Sequence, residues 1–208
     1  EIQDTDEETI VHFRDTTAGT EHRLFADAVL VATGRRPNTE SLNPGAAGVQ
    51  TDERGAIIVD EHLQTSAQHI WAIGDVKGGL QFTYISQDDY RIIRDQLFAK
   101  GGRTTKDREP VAYAVFIDPP LSRIGMTERE AVEKGYKVKT KTVAVASIPR
   151  ARVLGGTDGL LKAVVDADSG KILGCTLFCV DSSEVINVIM VAMKAGLDYT
   201  FLRDQIYT

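Results

Sequence analysis

The chain has 208 residues, 42% of them hydrophobic and 26% charged, with a formal net charge of −6. This is ordinary globular composition with room for one large or two small domains. The acidic balance argues against a nucleic-acid surface, no apolar run is long enough to span a bilayer, and with no signal peptide and only two cysteines a cytoplasmic setting is expected rather than a secreted disulfide scaffold.

In chain order, residues 8–32 read as strands. Residues 9–13 and 22–25 flank a connection that ends in Gly19, which predicts a hairpin. Residues 28–32 carry apolar side chains facing both ways and predict a strand covered on both faces, ending at Thr33-Gly34. Residues 35–56 are rich in Gly, Pro and Asn and predict loop, followed by a short strand at 57–59. The run Ile70-Trp71-Ala72-Ile73 predicts a buried strand that stops at Gly74-Asp75. A carboxylate at the carboxyl end of such a strand lies where open α/β sheets bind ligands. Asp75 can accept two hydroxyl hydrogen bonds there, as from a ribose or ribitol chain. The alternative is a strand that ends in a turn with a solvated Asp.

A glycine loop at 77–79 leads into a predicted helix from about Tyr84 to Lys100, with Ile85, Ile92, Ile93 and Leu97 on its apolar side and Asp88, Asp89, Arg91 and Arg94 elsewhere. Residues 101–110 combine glycine, charge and proline and read as a linker. Beyond it, residues 111–117 predict a strand broken at Pro119-Pro120. Thr127 and Glu130 form a capping-box pattern for a short helix closed by Gly135. Residues 137–146, 160–166 and 172–180 predict three antiparallel strands with a hairpin turn at 166–170. A helix over 182–195 follows, with Asp181 as N-cap and Gly196 as its stop. Helices on one face of an antiparallel sheet make an α+β domain, preceded here by a partial α/β region.

Cys175 and Cys179 are spaced CxxxC within a strand-like run. Positions four apart on a strand lie roughly 13 Å apart, too far to bridge. They read as two small buried residues, with a redox or metal pair as the alternative. His12, His22, His62 and His69 are scattered without ligand spacing, so no metal site is expected. Arg150 and Arg152 fall in a loop-like stretch and read as solvated arginines, with an oxidant or anion path as the alternative.

Four stretches, in order, resemble the carboxyl-terminal half of the class I pyridine nucleotide-disulfide oxidoreductases, the family of glutathione reductase, dihydrolipoamide dehydrogenase and mercuric reductase. They are Val29-Leu30-Val31-Ala32-Thr33-Gly34-Arg35-Arg36-Pro37-Asn38, then Thr65-Ser66-Ala67-Gln68-His69-Ile70-Trp71-Ala72-Ile73-Gly74-Asp75, then Asp118-Pro119-Pro120-Leu121-Ser122-Arg123-Ile124-Gly125-Met126-Thr127-Glu128, then Gly170-Lys171-Ile172-Leu173-Gly174. Ile148-Pro149-Arg150-Ala151 is similar to the mercuric-reductase branch. Residues 80–86, 148–153 and 203–206 resemble the bacterial flavin reductases of reactive-chlorine resistance.

The resemblance implies three regions: residues 1–36 as the tail of an NAD(P)-binding domain, 37–105 as part of an FAD-binding region, and 106–208 as an interface domain that forms a homodimer. It implies that Asp75 binds the ribitol hydroxyls of FAD, with Gly74 allowing close backbone approach. The backbone at Thr83, at a helix start, faces the flavin pyrimidine. Gln81 and Phe82 lie near the flavin and nicotinamide edge, Gly34 lets the chain turn past the cofactor, and Val115 offers its carbonyl to the nicotinamide amide. For Gly34 a plain strand-end glycine, and for Val115 interface packing, are the alternatives.

The family's GxGxxG motifs and CxxxxC disulfide have no counterpart in this sequence, and its His-Pro segment would follow Thr208. The expectation is therefore a piece of an FAD- and NAD(P)H-dependent reductase. That piece would hold no catalytic residue, bind no cofactor by itself and be inactive alone. The whole protein would act on a disulfide and then on a substrate such as Hg(II), Cu(II) or a reactive oxidant. Two other readings are a stand-alone dimerisation module without flavin and a CxxxC redox or metal protein.

Overall fold

The computed structural model describes residues 1–5, 8–99 and 101–207. The chain opens with β1 (Ile2–Asp4), β2 (Thr9–Arg14) and β3 (Glu21–Ala26), an antiparallel sheet in the order β1-β2-β3. The β2–β3 hairpin is the expected one. Asp15 closes its turn by accepting the N–H groups of Thr17 and Ala18 at 2.7 and 3.0 Å. The strand expected at 28–32 is not formed: the stretch is unpaired, with Leu30 91% and Val31 65% exposed. A doubly apolar strand needs neighbours on both sides, and the described chain supplies none there.

Residues 39–79 fold as turns around a small core of Val49, Ile57 and Ala72, against which Val59, Ala67, Ile70 and Val76 pack. The strands expected at 57–59 and 70–73 are reduced to single bridges, Thr51 with Ile57, Val59 with Thr65 and Gln64 with Trp71. The cause is local. Asp52 Oδ1 accepts from Arg54 and Ala56, and Asp60 Oδ1 from His62 and Gln64, so each carboxylate folds the chain back within four residues and leaves no length for a ladder. Leu63 sits in the second turn at φ 66° with no exposed surface. Its burial, worth roughly 2 kcal/mol, offsets a backbone cost of about 1–2 kcal/mol.

Helix α1 (Thr83–Phe98) matches the expected helix, starting one residue earlier; Lys100, its expected end, lies outside the described residues. Ile85 and Ile92 are buried as their spacing predicts. Asp88 and Asp89, expected on the polar side, are buried too, at 8% and 0% exposure. The presumed linker is not free: Thr105–Arg108 forms a 3-10 turn, Thr105 N–H donates to the Glu61 carbonyl, and Arg103 and Arg108 reach back to α1.

The second half contains β4 (Tyr113–Val115), β5 (Leu121–Gly125), α2 (Glu128–Glu133), β6 (Val138–Ala144), α3 (Pro149–Leu154), β7 (Leu160–Asp166), β8 (Ile172–Phe178), α4 (Ser182–Lys194) and α5 (Tyr199–Arg203). Its sheet runs β4-β5-β8-β7-β6 with every neighbouring pair antiparallel, the expected α+β arrangement. The predicted strand at 111–117 shrinks to three residues, and β5 is a further strand. The Thr127–Glu130 capping box is formed in both directions. Arg150 and Arg152, expected in a loop, lie on α3, which starts at Pro149 and is closed by Gly155 at φ 75°. Asp181 precedes α4 as expected, but at φ 60° and without a capping bond from its side chain. Helix α4 packs on the sheet through Ile124, Cys175, Leu177 and Ile186. No helix among the described residues is long and apolar enough to cross a membrane.

Candidate functional site

Three segments meet near the start of α1. The first is the helix end itself. Phe82 is extended (φ −126°, ψ 145°), helical geometry begins at Thr83, and no side chain caps the end. A 16-residue helix presents its positive dipole end and free N–H groups at such a terminus, a setting suited to negative charge.

The second segment is the 3-10 turn Gly74–Lys77, which carries an exposed Asp75. Gly74 has φ 69°, and a Cβ there would meet the Ser86 Cβ at 3.3 Å, so the turn lies directly against the first turns of α1. Its backbone is tied to the helix. Asp89 Oδ2 accepts the Gly74 N–H at 2.8 Å and faces Lys77 Nζ at 3.4 Å. Asp89 Oδ1 accepts from Arg108 Nη2 at 2.6 Å, Arg108 Nε lies 3.0 Å from Asp88 Oδ2, and Arg103 Nη2 lies 2.5 Å from Asp88 Oδ1. Two buried carboxylates are thus matched by three cations, the condition under which buried charge is tolerated.

The third segment is β4. With the start of α1 and the first turn of α4 it lines a groove of about 760 Å³, whose wall includes Gln81, Phe82, Thr83, Tyr113, Val115 and Asn187. The Phe82 ring stacks on Tyr84 (5.1 Å between centroids, 10° between planes) and on Tyr113 (6.2 Å, 14°). Tyr84 donates its hydroxyl to the Ala112 carbonyl at 3.0 Å, and partial burial pushes its phenol pKa up. Beside β4, Ser122 of the neighbouring β5 and Ser182 at the start of α4 are both fully buried. Their hydroxyls lie 2.9 Å apart, and Ser182 donates to the Pro120 carbonyl at 2.8 Å.

Four of the six sequence-derived site residues, Gln81, Phe82, Thr83 and Val115, therefore share one groove. Asp75 stands on the adjoining turn. Gly34 stands apart at φ 86°, with no atom within 4 Å of where a Cβ would be. Cys175 is buried in the core between α4 and the five-stranded sheet, and burial, then the neighbouring Cys179, pushes its thiol up to about 11. Reasoning from sequence missed Asp89, Arg108, Tyr84 and Tyr113. The acidic pair at 88–89, three and four residues beyond buried Ile85 and followed within 20 residues by Arg103 and Arg108, was the available signal for the ion cluster.

The profile of the pyridine nucleotide-disulphide oxidoreductases matches residues 1–89, and that of their dimerisation domain matches residues 111–208. The probable pyridine nucleotide-disulfide oxidoreductase RclA of Escherichia coli K12 is 54% identical over 198 residues, covering 95% of this chain and 45% of that protein. A mercuric reductase of Staphylococcus aureus is 39% identical over 186 residues, 89% of this chain and 34% of that protein. Among solved structures, the HOCl-induced flavoprotein disulfide reductase RclA of Escherichia coli, also solved as a Cu(II) complex, superposes with a TM-score of 0.91 at 52% identity. It covers all of this chain and 46% of its own. The chain thus spans less than half the length of these relatives.

Proposed function

The chain belongs to the pyridine nucleotide-disulphide oxidoreductase family, and on that premise we propose that it forms the carboxyl-terminal half of an FAD-dependent NAD(P)H oxidoreductase that works as a homodimer. Residues 1–36 are the tail of the nicotinamide-cofactor domain, 37–105 one wall of the FAD site, and 106–208 the interface domain. The free thiols of Cys175 and Cys179 suit a reducing compartment, the cytoplasm.

The observation that carries this reading is the exposed Asp75 on a turn fastened to the uncapped amino end of α1. These residues fit FAD. Asp75 offers two anionic acceptors for ribitol hydroxyls, and Gly74 brings the backbone close. The N–H groups at Thr83 favour negative charge on a ring system beside them. Gln81, Phe82 and the Val115 carbonyl border the groove where a nicotinamide ring would lie. When bound, FAD supplies the electron-transfer chemistry between NAD(P)H and a redox disulfide. This chain's residues bind and orient the cofactor and shield it from water. Gly34 borders the cofactor only once its own neighbours are in place. With Asp75 exposed and Gly34 in open space, the 208 residues alone are expected to hold no flavin. The substrate reading, an oxidised metal ion such as Hg(II) or Cu(II) or a reactive oxidant, rests on the named relatives.

Val185, Val188 and Val191 form an exposed apolar stripe along α4 (46, 49 and 62% exposed). Its occupant is a second copy of the chain, as the dimerisation-domain match implies. The test of the cofactor reading is the FAD dissociation constant of the full-length protein. Asp75→Ala removes a charged acceptor of two hydroxyls, worth about 1.5–3 kcal/mol, which predicts roughly 10- to 100-fold weaker binding. Unchanged affinity would remove Asp75 from the site.

A further inference from the structure

Asp89 touches no ligand in the reading above, yet it is the most completely enclosed charge in the described structure, at 0% exposure. Its carboxylate is shared between two regions. One oxygen takes the Gly74 N–H and faces Lys77; the other takes Arg108, from the segment that leads into the interface domain. Gly74 directly precedes Asp75, and Lys77 ends the same turn, so one side chain holds both ends of the turn that presents Asp75. Stability alone is a poor reason for this design, because replacing buried ion pairs with apolar side chains is often neutral or stabilising. What an apolar residue cannot do is accept the Gly74 N–H and hold the turn in one place.

We propose that Asp89 is a positioning residue of the cofactor site: it fastens the Gly74–Lys77 turn to α1, so that the Asp75 carboxylate and the amino end of α1 face one ligand. The proposal rests on the FAD reading. Asp88 provides the internal control. It is the adjacent buried carboxylate, pairs with Arg103 and Arg108, and makes no bond to Gly74.

The experiment compares Asp89→Val, Asp89→Asn and Asp88→Asn by two readouts. In the 208-residue chain, hydrogen exchange of the Gly74–Lys77 amides reports the turn without any cofactor. In the full-length protein, titration gives the FAD dissociation constant. Asp89→Val is expected to speed exchange of these amides by about tenfold or more and to weaken FAD by about tenfold. Asp89→Asn keeps an acceptor for Gly74 and falls between Asp89→Val and wild type, which also serves if Asp89→Val does not fold. Asp88→Asn lowers the melting temperature and, because it reaches Asp89 only through the shared Arg108, moves both readouts clearly less than either Asp89 variant does. The proposal is overturned if Asp88→Asn moves the turn as much as the Asp89 variants do, or if the Asp89 variants leave its protection unchanged. FAD held by wild type, lost in Asp75→Ala and kept in the Asp89 variants overturns the positioning role alone. A wild-type full-length protein without affinity for FAD overturns the FAD reading itself.

Discussion

Gly174→Ala is a severe test of the five-stranded sheet. Gly174 lies on β8, opposite Gly125 of β5 and Val164 of β7. A Cβ at Gly174 would stand 1.9 Å from the Met126 carbonyl oxygen and 2.9 Å from the Met126 nitrogen and carbonyl carbon. All three atoms are backbone, so no side-chain rotation relieves the clash. Reaching ordinary contact requires the β5 end to retreat by about 1.5 Å, which breaks the 2.9 Å bond from Met126 N–H to the Leu173 carbonyl. Overpacking of this kind costs about 1–3 kcal/mol and the lost hydrogen bond about 1 kcal/mol, a total of roughly 2–4 kcal/mol. In urea denaturation followed by far-ultraviolet circular dichroism, the midpoint should fall by about 1–2 M. Gly102→Ala, where a Cβ meets nothing within 4 Å, is the matched control and should leave the midpoint unchanged. A Gly174→Ala midpoint equal to the control's would refute the close β5–β8 approach.

Three further outcomes are expected. Val188→Lys on the exposed stripe of α4 should convert dimer to monomer in sedimentation velocity without loss of helicity; a dimer that persists would place the interface elsewhere. Cys175 should resist thiol reagents at pH 8 in the folded protein and react on unfolding. Because its folded pKa is raised to about 11 from 9.0, its contribution to stability is complete below pH 9 and is lost as pH rises towards 11, which a pH series of denaturation curves will show. At the acid end, Glu130 is held below its usual pKa chiefly by the Thr127 N–H, and Asp198 chiefly by the Thr200 hydroxyl. Their contribution is present above the ordinary carboxylate range and is lost as pH falls below it. Glu130→Gln, which removes the titrating carboxylate, should therefore shrink the acid-induced loss, and an unchanged acid limb would argue against the capping box.

The legible parts of this fold were those set by short-range chemistry. The β2–β3 hairpin, the Thr127 capping box, the turn at 166–170 and the extent of α1 and α4 follow from residues within a few positions of one another. The strands expected at 28–32 and 70–73 failed because a strand is defined by its partners. Residues 28–32 have none among the described residues, and the Asp52 and Asp60 turns keep 57–73 too tightly folded for a ladder. At the candidate site, Asp75 stood out in the sequence as the end of an apolar run and Phe82 and Thr83 entered through the family resemblance, whereas Asp89 was singled out by neither. Its spacing from Ile85 and Ile92 put it on the buried face of α1, but a carboxylate by itself reads as solvent-facing, and its three donors come from Gly74, Lys77 and Arg108, on both sides of it in the chain. A buried carboxylate is betrayed by its partners, and those were too far apart in sequence to be seen as one cluster.

In the proposed function, Asp75 and the amino end of α1 form one wall of an FAD site. The most direct measurement is the flavin content of the purified full-length protein, wild type beside Asp75→Ala, from its visible absorption after exhaustive dialysis. One FAD per subunit is expected in wild type, with loss of most of it in Asp75→Ala. A colourless wild type, or a variant that keeps its full flavin, would contradict that assignment.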